Sequence, residues 1–89
     1  MRIRIESAYS DGHCSTRIEE VAEFVFADLA TNPDYAGCDE DEALNFYLSE
    51  FSGDGHGAKF PKLGWCYEVT VLEADNAALV GHVYENCGS

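Results

Sequence analysis

Positive charge is scarce in this chain. Three arginines and two lysines stand against seventeen carboxylates, a formal net charge of -12. Direct binding to DNA or RNA is disfavoured, because phosphate contacts are made by Lys and Arg. An anionic membrane surface is disfavoured for the same reason. Long apolar runs are also missing. No stretch reaches the roughly 20 residues of a membrane span, and "MRIRIESAYS" has no apolar run behind its charges, as an export signal would. There are only two prolines, and there is no repeat, linker or low-complexity segment. The four cysteines, Cys14, Cys38, Cys66 and Cys87, are too sparse for a disulfide scaffold. The default expectation is therefore reduced thiols in a cytoplasmic protein.

What remains suffices for one core. Apolar residues are 46% and aromatics 12% of 89 residues, so residues 1–89 read as a single small acidic α+β domain. "MRIRIESAY" alternates Met1, Ile3, Ile5 and Tyr9 against Arg2, Arg4, Glu6 and Ala8, a half-buried strand. Thr16-x-x-Glu19 fits a capping box. Ile18, Val21, Ala22, Val25 and Leu29 follow at helical spacing, and Asn32-Pro33 ends the helix. Asp39-x-x-Glu42 opens a second helix with Leu44, Tyr47, Leu48 and Phe51 on one face, stopped by Ser52-Gly53. Residues 52–64 form a long glycine-rich loop with both lysines. "WCYEVTVLE" and "ALVGHVYEN" flank the turn Asp75-Asn76 as a hairpin. The order β-α-α-β-β predicts a three-stranded antiparallel sheet with two helices packed on one face. Arg2 and Arg4 would then meet Glu68 or Glu85 on the open face.

Motifs for chemistry are weak. His13, Cys14, Cys38, His56, Cys66, His82 and Cys87 are all ligand types for zinc, but no pair has the close spacing of a structural site. Cys14 stands before the first expected helix, where His56 and Asp11 or Asp54 could serve it as base and orienter. Nearby carboxylates oppose a thiolate there. The acidic run at residues 39–42 lacks the alternation and glycine of a calcium loop. "GDGHGAKFPK" is not a phosphate-binding loop, and it runs from helix to strand. Asp-Gly-His occurs twice, at residues 11–13 and 54–56. The two copies sit in unlike contexts and read as turns, with the histidines as passengers.

The distribution of charge is more informative. Glu19, Glu20 and Glu23 lie opposite the first helical stripe. Glu42, Phe46, Ser49 and Glu50 lie opposite the second. An aromatic ringed by acids has the make-up of a contact patch for a basic partner. The sequence therefore predicts a non-enzymatic binder without cofactor, metal or catalytic residue. It would dock on a basic nucleic-acid-binding protein through Glu19, Glu20, Glu23, Asp39, Glu40, Asp41, Glu42, Phe46 and Glu50. Mobile-element inhibitors of host defence nucleases, such as anti-CRISPR and anti-restriction proteins of phages, act as nucleic-acid mimics of this kind. The alternatives are an acid-rich domain adapted to salt, a small zinc- or thiol-dependent protein, and a homodimer through a sheet edge or the open face.

Overall fold

The computed structural model describes residues 1–25, 33–35 and 37–88. The elements are β1 (Arg2–Tyr9), β2 (Cys14–Glu20), a 3-10 turn at Pro33–Tyr35, α1 (Glu40–Ser49), the single-turn α2 (His56–Lys59), β3 (Trp65–Glu73), a second 3-10 turn at Ala77–Leu79, and β4 (Val83–Gly88). The four strands form one antiparallel sheet in the order β2-β1-β3-β4. The expected three-stranded sheet of order β-α-α-β-β is thus corrected to four strands with β2 in place of the first helix.

Two periodicities compete in residues 14–20, and the strand wins. Thr16-x-x-Glu19 satisfies a capping pattern, but Cys14, Thr16 and Ile18 also alternate with Ser15, Arg17 and Glu19. β-branched Thr16 and Ile18 suit a strand. The preceding turn decides the direction. Gly12 takes φ +91°, a conformation open to glycine. Asp11 Oδ1 accepts from the His13 amide at 2.9 Å, and the Tyr9 amide donates to the His13 carbonyl at 2.8 Å. The chain is folded straight back, and β2 pairs with β1 from Ala8↔Cys14 to Arg2↔Glu20. Residues 21–25 are neither helix nor strand. Leu29 and Asn32, the far end of the expected helix, lie outside the described residues.

β1 and β3 carry the core side of the sheet. Ile3 and Ile5 of β1 and Val69 and Val71 of β3 pack with Ala43, Leu44 and Leu48 of α1, closed by Phe24 and Leu79. Phe24, off the expected stripe, is buried, with its ring against Tyr35 and Tyr47. α1 begins as its sequence predicts: Asp39 is the N-cap and accepts from the Glu42 amide at 2.8 Å. Its end comes at Ser49, and turns carry the chain on to Ser52. There Arg17 reaches from β2 and donates to the carbonyls of Phe51 and Gly53. Both carbonyls lie just past α1, so Arg17 ties β2 to the segment that leaves the helix. His82 Nε2 and Asn45 Oδ1 lie 2.7 Å apart and tie the β3–β4 connection to α1.

On the open face the arginines choose other partners than expected. Arg2 bridges Glu20 and Glu73, each at 3.0 Å, and Arg4 pairs with Glu6 on its own strand at 2.8 Å. Glu6, Glu68 and Glu85 stand in one row across β1, β3 and β4. Two rungs along, on the same face, Cys66 and Cys87 are directly opposed and joined by a disulfide. The expectation of fully reduced thiols is corrected for this pair; Cys14 and Cys38 are free. The spacing of 21 residues signals no metal or redox motif, and only the strand register brings the two together.

Candidate functional site

The two Asp-Gly-His triplets, read as unrelated turns, meet. Each is built alike. In each, Asp Oδ1 accepts the amide of the histidine two residues on, at 2.9 Å in the first copy and 3.0 Å in the second. The intervening Gly12 and Gly55 take φ +91° and +87°. Each Asp then offers Oδ2 to the other copy's ring. Asp54 Oδ2 lies 2.9 Å from His13 Nε2, and Asp11 Oδ2 lies 2.8 Å from His56 Nε2. The two imidazoles stack with centroids 3.9 Å apart and planes 11° from parallel.

Neighbouring strands hold this exchange in place. Ser15 of β2 donates to Asp54 Oδ2 at 2.6 Å, and the Tyr9 hydroxyl of β1 donates to Asp54 Oδ1 at 2.8 Å. Tyr67 of β3 comes within 3.3 Å of the Tyr9 hydroxyl. Gly57 lies so close to Tyr9 and Tyr67 that a Cβ there would meet them at 3.2 and 3.3 Å. Ser10 closes the far end of the loop: its amide donates to the Gly64 carbonyl at 2.9 Å, and its hydroxyl accepts from the Gly64 amide at 3.0 Å.

These contacts reset the acidities. Burial by itself would raise the Asp54 carboxyl. The bonds from Ser15, the His56 amide, Tyr9 and His13 outweigh it and hold this carboxyl well below the usual range. The His13 amide, then the His56 ring, likewise lower Asp11. Burial, then the bonds to Tyr67 and Asp54, push the Tyr9 phenol up to about 12. Burial also raises Tyr47. A depressed carboxyl contributes stability that is present above the unfolded value of about 4 and lost as pH falls through the folded value. A raised phenol contributes stability that is present below about 10 and lost as pH rises towards its folded value. Urea midpoints across pH are therefore expected to fall on both limbs. Asp54→Asn should flatten the acid limb and Tyr9→Phe should shallow the alkaline one. An acid limb of unchanged steepness in Asp54→Asn would show that this carboxylate does not carry it.

The chemistry open to this cluster is limited. Ser15 donates to a carboxylate and not to an imidazole, so no serine–histidine relay forms. Cys14 is paired with Ala8, on the face of β2 away from Ser15. Among the described residues, no three His, Cys, Asp or Glu side chains converge to hold a metal ion.

The acidic residues singled out in sequence divide into two groups. Glu19, Glu20 and Glu23 share no helical face. Glu19 lies on β2, 3.3 Å from Arg17; Glu20, also on β2, pairs with Arg2; and Glu23 accepts from the Asp75 amide at 3.2 Å. The second group stays together on α1. Asp39 caps it, Glu40, Asp41 and Glu42 form its first turn, Glu50 its C-cap, and Phe46 stands 49% exposed between them. Among the described residues no ion pair reaches Glu40, Asp41, Glu42 or Glu50.

The repeated triplet was the one signal that could have located the paired histidines. Asp-Gly-His specifies the turn through the Asp oxygen and the glycine, and it leaves the ring free to reach outward. No family model, curated protein or solved structure matches the chain.

Proposed function

We propose that the chain is a non-enzymatic acidic binding domain that docks on a basic nucleic-acid-binding protein through the outward surface of α1. The observation that carries this reading is Phe46, half-exposed on α1 with its covered side edge-on to Tyr35, amid carboxylates that no ion pair among the described residues reaches. All three arginines are engaged within the chain, with Glu20, Glu73, Glu6, Glu19 and the end of α1. The field of the acids on α1 is therefore left facing outward, where it steers a basic surface into contact. Phe46 supplies the apolar anchor and Glu42 and Glu50 the rim. Occupying a nuclease's nucleic-acid groove in this way is the inhibitory form of the reading. Salt adaptation is a second reading, favoured by the directly opposed Glu68 and Glu85, a pairing that is costly where salt is low.

The test is binding to a panel of purified basic nucleic-acid-binding proteins at low and physiological salt, with DNA as competitor. Capture that is salt-sensitive and displaced by DNA is expected. Phe46→Ala should weaken the complex by about 2 kcal/mol, some 30-fold. Glu42→Gln with Glu50→Gln should slow association more than it speeds dissociation. If no member of the panel binds even at low ionic strength, the reading fails.

A further inference from the structure

We propose that the paired Asp-Gly-His turns are a proton-operated clasp. Protonation of His13 and His56 locks residues 53–64 onto the β1–β2 turn, and deprotonation loosens them.

Each carboxylate is fixed by its own turn, because its Oδ1 is already taken by an amide two residues on. The imidazoles reach across to the opposite turn and are the groups whose charge can change there, both lying beside the Tyr9 ring. A neutral ring meets its carboxylate with one N–H; a protonated ring meets it as an ion pair, and that bond is the stronger. Two imidazolium rings 3.9 Å apart repel each other. Both can be charged together because Asp11 and Asp54 each neutralise one of them. The quartet is then two cations and two anions, and each Nε2 is held at 2.8 or 2.9 Å. Removing either carboxylate leaves stacked rings whose joint protonation is opposed.

The other groups that face the clasp come from every element packed against it. β1 contributes Tyr9, raised to about 12, and β3 contributes Tyr67. β2 contributes Ser15 and Arg17, the latter bound to Gly53, Phe51 and Glu19. The turn contributes Asp11, and the loop contributes Asp54, with Phe60 against the His56 ring at 4.9 Å. Imidazole is the one side-chain type on that list that ordinarily changes charge between about pH 5 and 8. The loop so controlled carries Lys59 and Lys62 on either side of the exposed Phe60. Neither lysine has an ion pair among the described residues. The clasp would therefore set how rigidly the chain presents its two uncommitted cations.

The experiment is amide hydrogen exchange of the full chain, followed by NMR and corrected for intrinsic rates. Protection at Gly55, His56, Gly57 and Ala58 is expected to be about tenfold higher near pH 5 than near pH 8. Amides of β1 and β3 should change far less. Asp11→Asn should shrink the difference, because only the His13–Asp54 pair is left to carry it, and His56→Gln serves the same test should Asp11→Asn fail to fold. Equal protection of the wild-type loop at both pH values would overturn the proposal. So would a pH dependence of undiminished size in a folded Asp11→Asn or His56→Gln protein.

Discussion

Leu48→Ala is expected to cost about 2–5 kcal/mol, the range for emptying a filled leucine site in a core. Leu48 is fully buried, in one cluster with Ile3, Ile5, Val69 and Val71. α1 is the one helix longer than a single turn among the described residues, so few side chains are in place to collapse into the space. A chain of this size is stable by about 4–13 kcal/mol in all. The substitution should therefore move the urea midpoint by a large fraction of its value, or leave the chain unfolded at room temperature. Phe46→Ala, two residues earlier on the opposite side of α1, should cost less, about 1 kcal/mol, because its ring is half in water and otherwise meets Tyr35 edge-on at 5.8 Å. The pair of measurements fixes which side of α1 is core. Equal losses at both positions would mean that Phe46 serves the core through Tyr35 and is not presented to a partner.

α1 could be read from the sequence because several local signals agree there. Asp39 at the cap, acids in the first turn, and Leu44, Tyr47 and Leu48 at helical spacing all specify one structure. β1 and β3 could be read for the same reason: their alternation leaves only one face apolar. β2 could not. Its inward residues are Ser15, Arg17 and Glu19, none of them apolar, so the usual mark of a half-buried strand is absent. Arg17 faces inward because it serves the end of α1, more than 30 residues further along the chain. Glu19 faces inward beside Arg17. An edge strand that turns charge towards its own domain conceals its periodicity and is guarded against pairing with another sheet. The capping pattern then prevailed by default.

The candidate site was legible in one part and hidden in another. The outward placement of Glu42, Phe46 and Glu50 follows from helical geometry once α1 is recognised. The acidic face expected from Glu19, Glu20 and Glu23 disappeared with the helix that was to carry it. The clasp depends on contacts 41 and 45 residues apart, His13 with Asp54 and Asp11 with His56. No local rule brings such residues together. The repeat could show that the two turns are alike, but only the sheet, with Tyr9, Ser15 and Tyr67 around Asp54, places one against the other.

Reduction of the Cys66–Cys87 bond is expected to cost about 3 kcal/mol, the loop-closure value for a link spanning 21 residues. The bond joins β3 to the edge strand β4, whose other long edge is unpaired in the sheet. β4 buries little of its own: Val83 and Glu85 are exposed, and Tyr84 is partly buried against the core. Without the link it has the 3-10 turn at Ala77–Leu79 and the ladder to β3 to hold it. Both cysteines are exposed, so a reductant reaches the bond without prior unfolding. Urea unfolding with and without reductant should therefore differ at once, and Cys87→Ser should match the reduced protein. Alkylation of chain purified without reductant should find two thiols, Cys14 and Cys38; four would remove the bond and the predicted loss together. The bond also weakens the cysteine argument for a cytoplasmic location, since such links persist in oxidising compartments and are rare where thiols are kept reduced. A β4 that loosens on reduction would expose the row of Glu68 and Glu85 to rearrangement. Those two carboxylates face each other across the strands the disulfide holds together, so repulsion between them should make the loss larger at low salt than at high.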